Sequence, residues 1–352
     1  MGKANFRVAG AMALLLIVAN LAVAWIWDLP VRDPDGVVVP TYVRLPVIVL
    51  LAFLVDVVPR AVWAAWGHPG SLPSALVGVA RRRWDRAHVV FMLSGLGAWY
   101  VCYATFRNLK SYVPFVNHHI WDATLARVDR LLWFGHDPAT VLHAVFGTGL
   151  AAHFFSAVYI AWIGLIPVTL AIALVWTRNR VKGAWYVTAI AFDWVLGVAV
   201  YYLVPTLGPI YTAPDNFAAL AHTDVTTIEQ QLLDERIAVL ADPWATQAVQ
   251  TIAAFASLHV GMMMTICLIA ELVHVRRSWR TLAWVFFSLT VLATVYLGWH
   301  FFVDTLGGMA LGAAGVWLGA MATGNLDGFR PRLATAEEDQ APEFSDSAST
   351  AA

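Results

Sequence analysis

Charge is scarce in this sequence. Only 13% of its 352 residues are Asp, Glu, Lys or Arg, about half the ~25% of an ordinary soluble domain. That deficit excludes a soluble globular enzyme and a disordered chain. A basic excess is missing as well. With 22 Lys and Arg against 23 Asp and Glu, no cationic surface is available for nucleic acid. Cysteine is nearly absent: Cys102 and Cys267 each lie inside an apolar run. They read as small packing residues, which excludes a disulfide framework and a cysteine metal centre. Apolar residues fill the remaining space. They make up 60% of the chain, with 17 Trp, 18 Phe and 10 Tyr, and mean hydropathy is +0.67. Such a chain crosses lipid boundaries many times.

A helix needs about 20 apolar residues to cross a bilayer. Stretches near 8–27, 43–62, 88–106, 151–176, 184–204, 251–273, 281–299 and 301–322 meet that length. The expected fold is all-α, a polytopic membrane bundle of about eight transmembrane helices. The last two stretches almost touch, which predicts a tight helical hairpin. Residues 1–66 read as two accessory transmembrane helices and 67–324 as a six-helix core. Residues 325–352, rich in Ala, Ser, Thr and Glu, read as a disordered tail.

Lys and Arg set the orientation. With a cytoplasmic N-terminus, fifteen of the 22 fall inside, among them Lys3, Arg7, Arg81, Arg82, Arg83, Arg178, Arg180, Lys182, Arg276 and Arg277. Arg32, Arg44, Arg107, Lys110, Arg127, Arg130 and Arg236 fall outside. Both termini and the tail are therefore expected in the cytoplasm of an integral protein of a bacterial-type cell membrane. Ala22-Val23-Ala24 resembles a signal cleavage site, but apolar character continues through Trp25-Ile26-Trp27, so the first span is expected to stay.

Two outer segments are long, and such segments in a compact bundle usually carry function. In 107–149, Trp121, Leu125, Val128 and Leu132 share one helical face with Asp122 and Asp129 turned away. That pattern predicts a helix lying in the interface plane. Residues 206–250 open on the breaker cluster Pro205-Thr206-Leu207-Gly208-Pro209 and include a polar helical stretch near 224–241.

Titratable residues inside spans are expensive and need a reason. Three converge at outer ends: His259 in the sixth span, and His300 and Asp304 in the closing hairpin. A spacing of four puts His300 and Asp304 on one helical face. The carboxylate can hold the proton of one imidazole nitrogen and leave the other free as a nucleophile. His259, at the same depth, can protonate a leaving alkoxide. The arrangement suits phosphoryl transfer, whose charge needs fixed cations. Arg107 and Lys110, three apart at an outer helix end, supply them or else snorkel to headgroups. Ser257 can offer a hydroxyl or N–H to phosphate near a helix start, or simply cap that helix. No metal or cofactor is called for.

These residues resemble the type-2 phosphatidic acid phosphatase superfamily, whose motifs are K-x6-R-P, P-S-G-H and S-R-x5-H-x3-D. Ser257-Leu258-His259 and, 41 residues on, His300-x3-Asp304 are similar to the second and third. Ala256 stands for the Pro, Leu258 for the Gly, and Ala293-Thr294 for the Ser-Arg pair. Those forms are similar to the inositol phosphorylceramide synthase-like (inositol phosphotransferase) branch. Arg107-x2-Lys110 followed by Tyr112-Val113-Pro114, and Gly208-Pro209-x-Tyr211, resemble the branch's first motif and an outer-loop motif. The resemblance covers about 88–322. It implies a lipid phosphotransferase or phosphatase at the extracytoplasmic face, working on a phospholipid or a polyprenyl or other lipid phosphate through a phosphohistidine. It implies His300 as nucleophile, Asp304 as its orienter, His259 as general acid, and Arg107, Lys110, Ser257 and Tyr211 at the phosphate.

Two other classes stay open on the residues alone. A non-enzymatic lipid transporter or scaffold is suggested by the arginine missing at Thr294. A metal-dependent membrane hydrolase is suggested by His118-His119 beside the other histidines, although their spacing fits no standard metal motif. Asp193, mid-span, is read as structural. Asp56 and Arg60 are expected to pair, Glu271 and His274 to reach headgroups, and Met262, Met263 and Met264 to pack.

Overall fold

The computed structural model describes residues 2, 4–35 and 40–334. Lys3 and the tail beyond residue 334 lie outside the described residues. The fold is an all-α bundle. In order it comprises α1 (Arg7–Ile26), α2 (Thr41–Ala64), α3 (Leu72–Arg83), α4 (Arg86–Val116), α5 (Asp122–Leu132), α6 (Pro138–Phe146) and α7 (Leu150–Ala171). Then come α8 (Arg180–Leu203), α9 (Pro209–Thr212), α10 (Asp224–Ala241), α11 (Leu258–Leu272), α12 (Arg277–Tyr296) and α13 (Phe302–Thr323). Seven of these, α1, α2, α4, α7, α8, α12 and α13, are long and apolar enough to cross a membrane. The helices make this an integral membrane protein by length and composition.

The sixth expected span is shorter than its apolar run. Residues 251–257 are non-helical, and α11 starts only at Leu258. The reason is local. Thr206 Oγ1 accepts from Phe255 N at 2.7 Å, and Ser257 caps the helix, so the backbone ahead of it is satisfied without helical bonds. The closing pair is joined by a short turn, residues 297–301, but does not pack as a hairpin: α11 lies against both α12 and α13, which scarcely touch each other.

Close packing centres on α13, which lies against α8 and α11. Gly308, Gly312 and Gly315 make the approach possible. A Cβ on them would overlap the Ser257 carbonyl, the Gly261 carbonyl and the Asp193 carboxylate, respectively. Asp193 is fully buried and accepts from Thr265 Oγ1 at 2.8 Å, the partner that the sequence did not reveal. The Asp56–Arg60 pair forms at 2.6 Å and gains Arg83 and Trp84. Glu271 pairs instead with Arg280 and accepts from Trp284. Met262 and Met263 are core residues, and Cys102 and Cys267 are buried and free. α1 packs on α4 and α8, whereas α2 leans on α3.

Two further expectations are corrected. The tail does not begin disordered at 325: Leu326–Asp327 pairs with Arg330–Pro331. Buried Asn325 anchors this hairpin, its carbonyl accepting from Arg332 N and its side chain from Ala334 N. Helix α5 also divides differently from the predicted face: Asp122 and Asp129 are buried together with Leu125, while Trp121 and Leu132 are exposed. The carboxylates face inward because backbone N–H groups of two loops need acceptors there, as described below.

Candidate active site

Local backbone features place the imidazoles. Ser257 Oγ accepts from Val260 N at 3.4 Å, which fixes the start of α11 and puts His259 in its first turn. Gly298 takes φ +79°, a region that side chains avoid, and the chain turns back there after α12. His300 N donates to Thr294 O at 3.2 Å, and Ser257 N donates to Asp304 O at 3.0 Å. The two motifs are thus bonded through their backbones. Asp304 Oδ2 accepts from Phe301 N at 2.9 Å.

The result is a line of three groups. His259 Nδ1 lies 3.0 Å from His300 Nε2. Asp304 Oδ2 lies 3.4 Å from His300 Nδ1. At that distance His300 Nδ1 makes no hydrogen bond. A proton on Nδ1, toward the carboxylate, would leave His300 Nε2 to accept from His259 Nδ1, which pairs a nucleophilic nitrogen with a proton donor once that bond opens.

An aromatic wall backs the pair. The His259 ring packs 4.3 Å from Trp162 and 5.1 Å from Tyr159. Trp162 Nε1 donates to His259 O at 3.1 Å. Trp299 stacks on Tyr159 at 5.1 Å. Sequence reasoning missed this wall. Its only signal was aromatic density in the fourth span.

A cavity of about 630 Å³ opens from the pair. His259, His300, Arg107, Lys110 and Tyr211 all line it. The two cations differ. Lys110 Nζ lies 4.8 Å over the Tyr201 ring. Arg107 stacks on Tyr103 and donates to its hydroxyl at 3.2 Å. The Tyr211 hydroxyl donates to Glu229 O at 3.2 Å. Ser257 is buried, caps α11 and stands outside the cavity lining. His118 and His119 are exposed, and His118 borders a separate smaller cavity.

Helix α5 braces both halves of this site. Asp129 accepts from Phe302 N at 2.6 Å and Val303 N at 2.8 Å, the free donors at the start of α13. Asp122 accepts from Leu207 N and Gly208 N, the latter at 2.8 Å. That loop holds Thr206, which in turn holds Ala254 and Phe255 ahead of His259. The i, i+7 spacing of the aspartates, which puts both on one helical face, was the visible signal.

Burial, opposed by its two N–H donors, pushes the Asp129 carboxyl up to about 6. Below that pH the neutral carboxyl turns one oxygen into a donor and accepts more weakly from the two N–H groups. Activity should therefore fall as pH drops through about 6, earlier than for an ordinary carboxylate. The folded value exceeds the unfolded one, so acid favours this group's folded form; the loss is one of activity and not of unfolding through Asp129. In Asp129→Asn, kcat should drop about tenfold through misplacement of the catalytic turn. KM should barely move, and the acid limb near pH 6 should vanish from the kcat profile.

The bundle brings two imidazoles, a carboxylate and the Lys110 side chain to one cavity in an integral membrane fold. A family model described as PAP2 superfamily matches residues 123–318, more than half of the chain, and the chain belongs to that superfamily. Membership points to phosphatase or phosphotransferase chemistry. His259, His300, Asp304, Ser257 and Tyr211 lie within the matched stretch; Arg107 and Lys110 precede it. No curated protein and no solved structure matches the chain.

Proposed function

We propose that the chain is a metal-independent lipid phosphotransferase that works through a phosphohistidine on His300. The observation that carries this reading is the 3.0 Å contact of His259 Nδ1 with His300 Nε2, backed by Asp304 and sharing a cavity with Lys110. His300 Nε2 attacks phosphorus, forming an N–P bond as the P–O bond to the leaving alkoxide breaks. His259 gives that alkoxide its proton. An incoming hydroxyl then loses its proton to His259, its oxygen attacks phosphorus, and the N–P bond breaks. Lys110 offsets charge on the phosphoryl oxygens, joined by Arg107 at the rim. Tyr211 borders the headgroup, and Ser257 acts through the helix start that it caps.

Transfer to an alcohol, rather than to water, is supported by Ser257-Leu258-His259 and Ala293-Thr294, the forms similar to the inositol phosphotransferase branch. An extracytoplasmic site is supported by the basic loops gathered at the opposite end, where Arg178 donates to the Arg82 and Arg83 carbonyls and Lys182 to Val273 O. The test uses the purified full-length protein in vesicles, a phospholipid labelled at phosphorus and an alcohol acceptor. A new phosphodiester, an acid-labile label on the protein and indifference to chelators are expected. Water-only products would make the protein a phosphatase. Lipid movement that persists in His300→Ala would make it a transporter.

A further inference from the structure

A second cavity of about 240 Å³ lies beside the one that holds the imidazoles. It sits between the last turn of α4, the stretch that follows α8 and the second half of α10. Leu207, Ile252 and Ala253 line both cavities, so one layer of residues separates them. That partition belongs to the non-helical segment that leads into His259 and to the loop that Asp122 holds. The two cavities face different surroundings. The larger runs down between α2, α4 and α7, all of them long and apolar enough to cross a membrane. The smaller is formed at helix ends and covered by the polar helix α10.

Donors dominate the smaller cavity, and no Asp or Glu lines it among the described residues. Arg236 is half-buried there, and its Nη1 donates to Gln250 Oε1 at 3.2 Å. Asp122 attracts the guanidinium but spends its oxygens on Leu207 N and Gly208 N. The rest of the guanidinium fork is left for a ligand. A partly desolvated cation without a carboxylate in contact calls for an anion, and a planar fork suits phosphate oxygens. Thr206 Oγ1 accepts from Ala254 N and Phe255 N, which leaves its own proton to give. His118 adds an exposed imidazole at the rim. One buried glutamine ties this cluster to the larger cavity. Gln250 Nε2 donates to Lys110 O at 3.1 Å, and Gln250 Oε1 accepts from Ile252 N at 2.9 Å.

We propose that the smaller cavity is an anion site for a water-soluble phosphate, held by Arg236 with Thr206 and His118 beside it. It docks the soluble partner of the reaction one partition away from the imidazoles. Free phosphate and a small phosphorylated alcohol share this chemistry. The lipid and the soluble partner thus reach the imidazoles from different sides. The role in the reaction rests on the phosphotransferase reading above; the anion site rests on Arg236 and its surroundings.

Calorimetric titration of the full-length protein in nanodiscs reads the site without turnover. The probes are inorganic phosphate, glycerol 3-phosphate and glycerol. Both phosphates should bind and glycerol should not. Arg236→Gln should weaken both phosphates at least about tenfold, the scale of a lost charged hydrogen bond. Arg236→Lys keeps the charge without the fork and should lose less, which separates a binding loss from a folding loss. Lys110→Met, which removes a cation of the larger cavity, should leave this affinity in place. Tighter glycerol 3-phosphate that turns up in labelled product marks the dock of an acceptor; tighter inorganic phosphate marks the exit of a hydrolytic product. Absence of binding by either phosphate, or affinity that follows Lys110 and ignores Arg236, would overturn the proposal. Arg236-dependent binding in a protein without His300-dependent turnover would refute the functional reading and leave the anion site standing.

Discussion

His300→Gln should abolish turnover, by at least about 10³-fold, because on the phosphohistidine reading the amide that replaces the nucleophile has no lone pair for phosphorus. His300 sits in the turn between α12 and α13, buried and lining the cavity. Glutamine keeps the bulk and the hydrogen-bonding ends but cannot form the N–P bond. The label on the protein should vanish together with the product. Asp304→Asn should fall on the order of 10³- to 10⁴-fold, the scale seen when a carboxylate behind a catalytic imidazole is neutralised. An amide there would present N–H to His300 Nδ1 and favour the tautomer with its proton on Nε2, which cannot attack. Thermal melting of both variants should stay within a few degrees of the parent, since the backbone bonds between Ser257 and Asp304 and between His300 and Thr294 are untouched. A His300→Gln variant with ordinary rates would end the phosphohistidine reading.

The second large effect separates the roles of the two imidazoles. His259→Ala should slow cleavage of a lipid ester with a poor alkoxide leaving group by about 10²- to 10⁴-fold. The same variant should cleave a nitrophenyl ester almost as fast as the parent, because that leaving group departs without a proton. The 3.0 Å contact to His300 places His259 for donation at the reacting atoms. The aromatic wall of Trp162 and Tyr159 fixes its ring. Rates measured across leaving groups of graded basicity give the answer as a slope, steep in the variant and shallow in the parent. Equal slopes would show that His259 is not the acid.

Much of this architecture could be read from the sequence, since lipid leaves so few options for a backbone. Apolar runs of about 20 residues must be helices, and seven of the eight expected spans are. Histidines and an aspartate at span ends are too expensive to lack a purpose, and His259, His300 and Asp304 do meet. What the sequence hid was set by backbone groups. The apolar run at 251–257 looked helical, but Thr206, far away in sequence, satisfies its N–H groups. Asp122 and Asp129 read only as turned from the apolar face of α5. The N–H groups at 207–208 and 302–303 that they bind leave no mark on side-chain pattern. Lys110 and Arg107 read as an equal pair, and only the three-dimensional positions of Tyr201 and Tyr103 show which ring each cation lies on at the cavity.

Lys110, which lines the cavity with the two imidazoles, comes from α4, ahead of the stretch that the chain shares with its superfamily. A chimera that replaced everything before residue 123 would keep His259, His300 and Asp304 while exchanging Lys110, Arg107 and the α2 and α4 walls of the cavity.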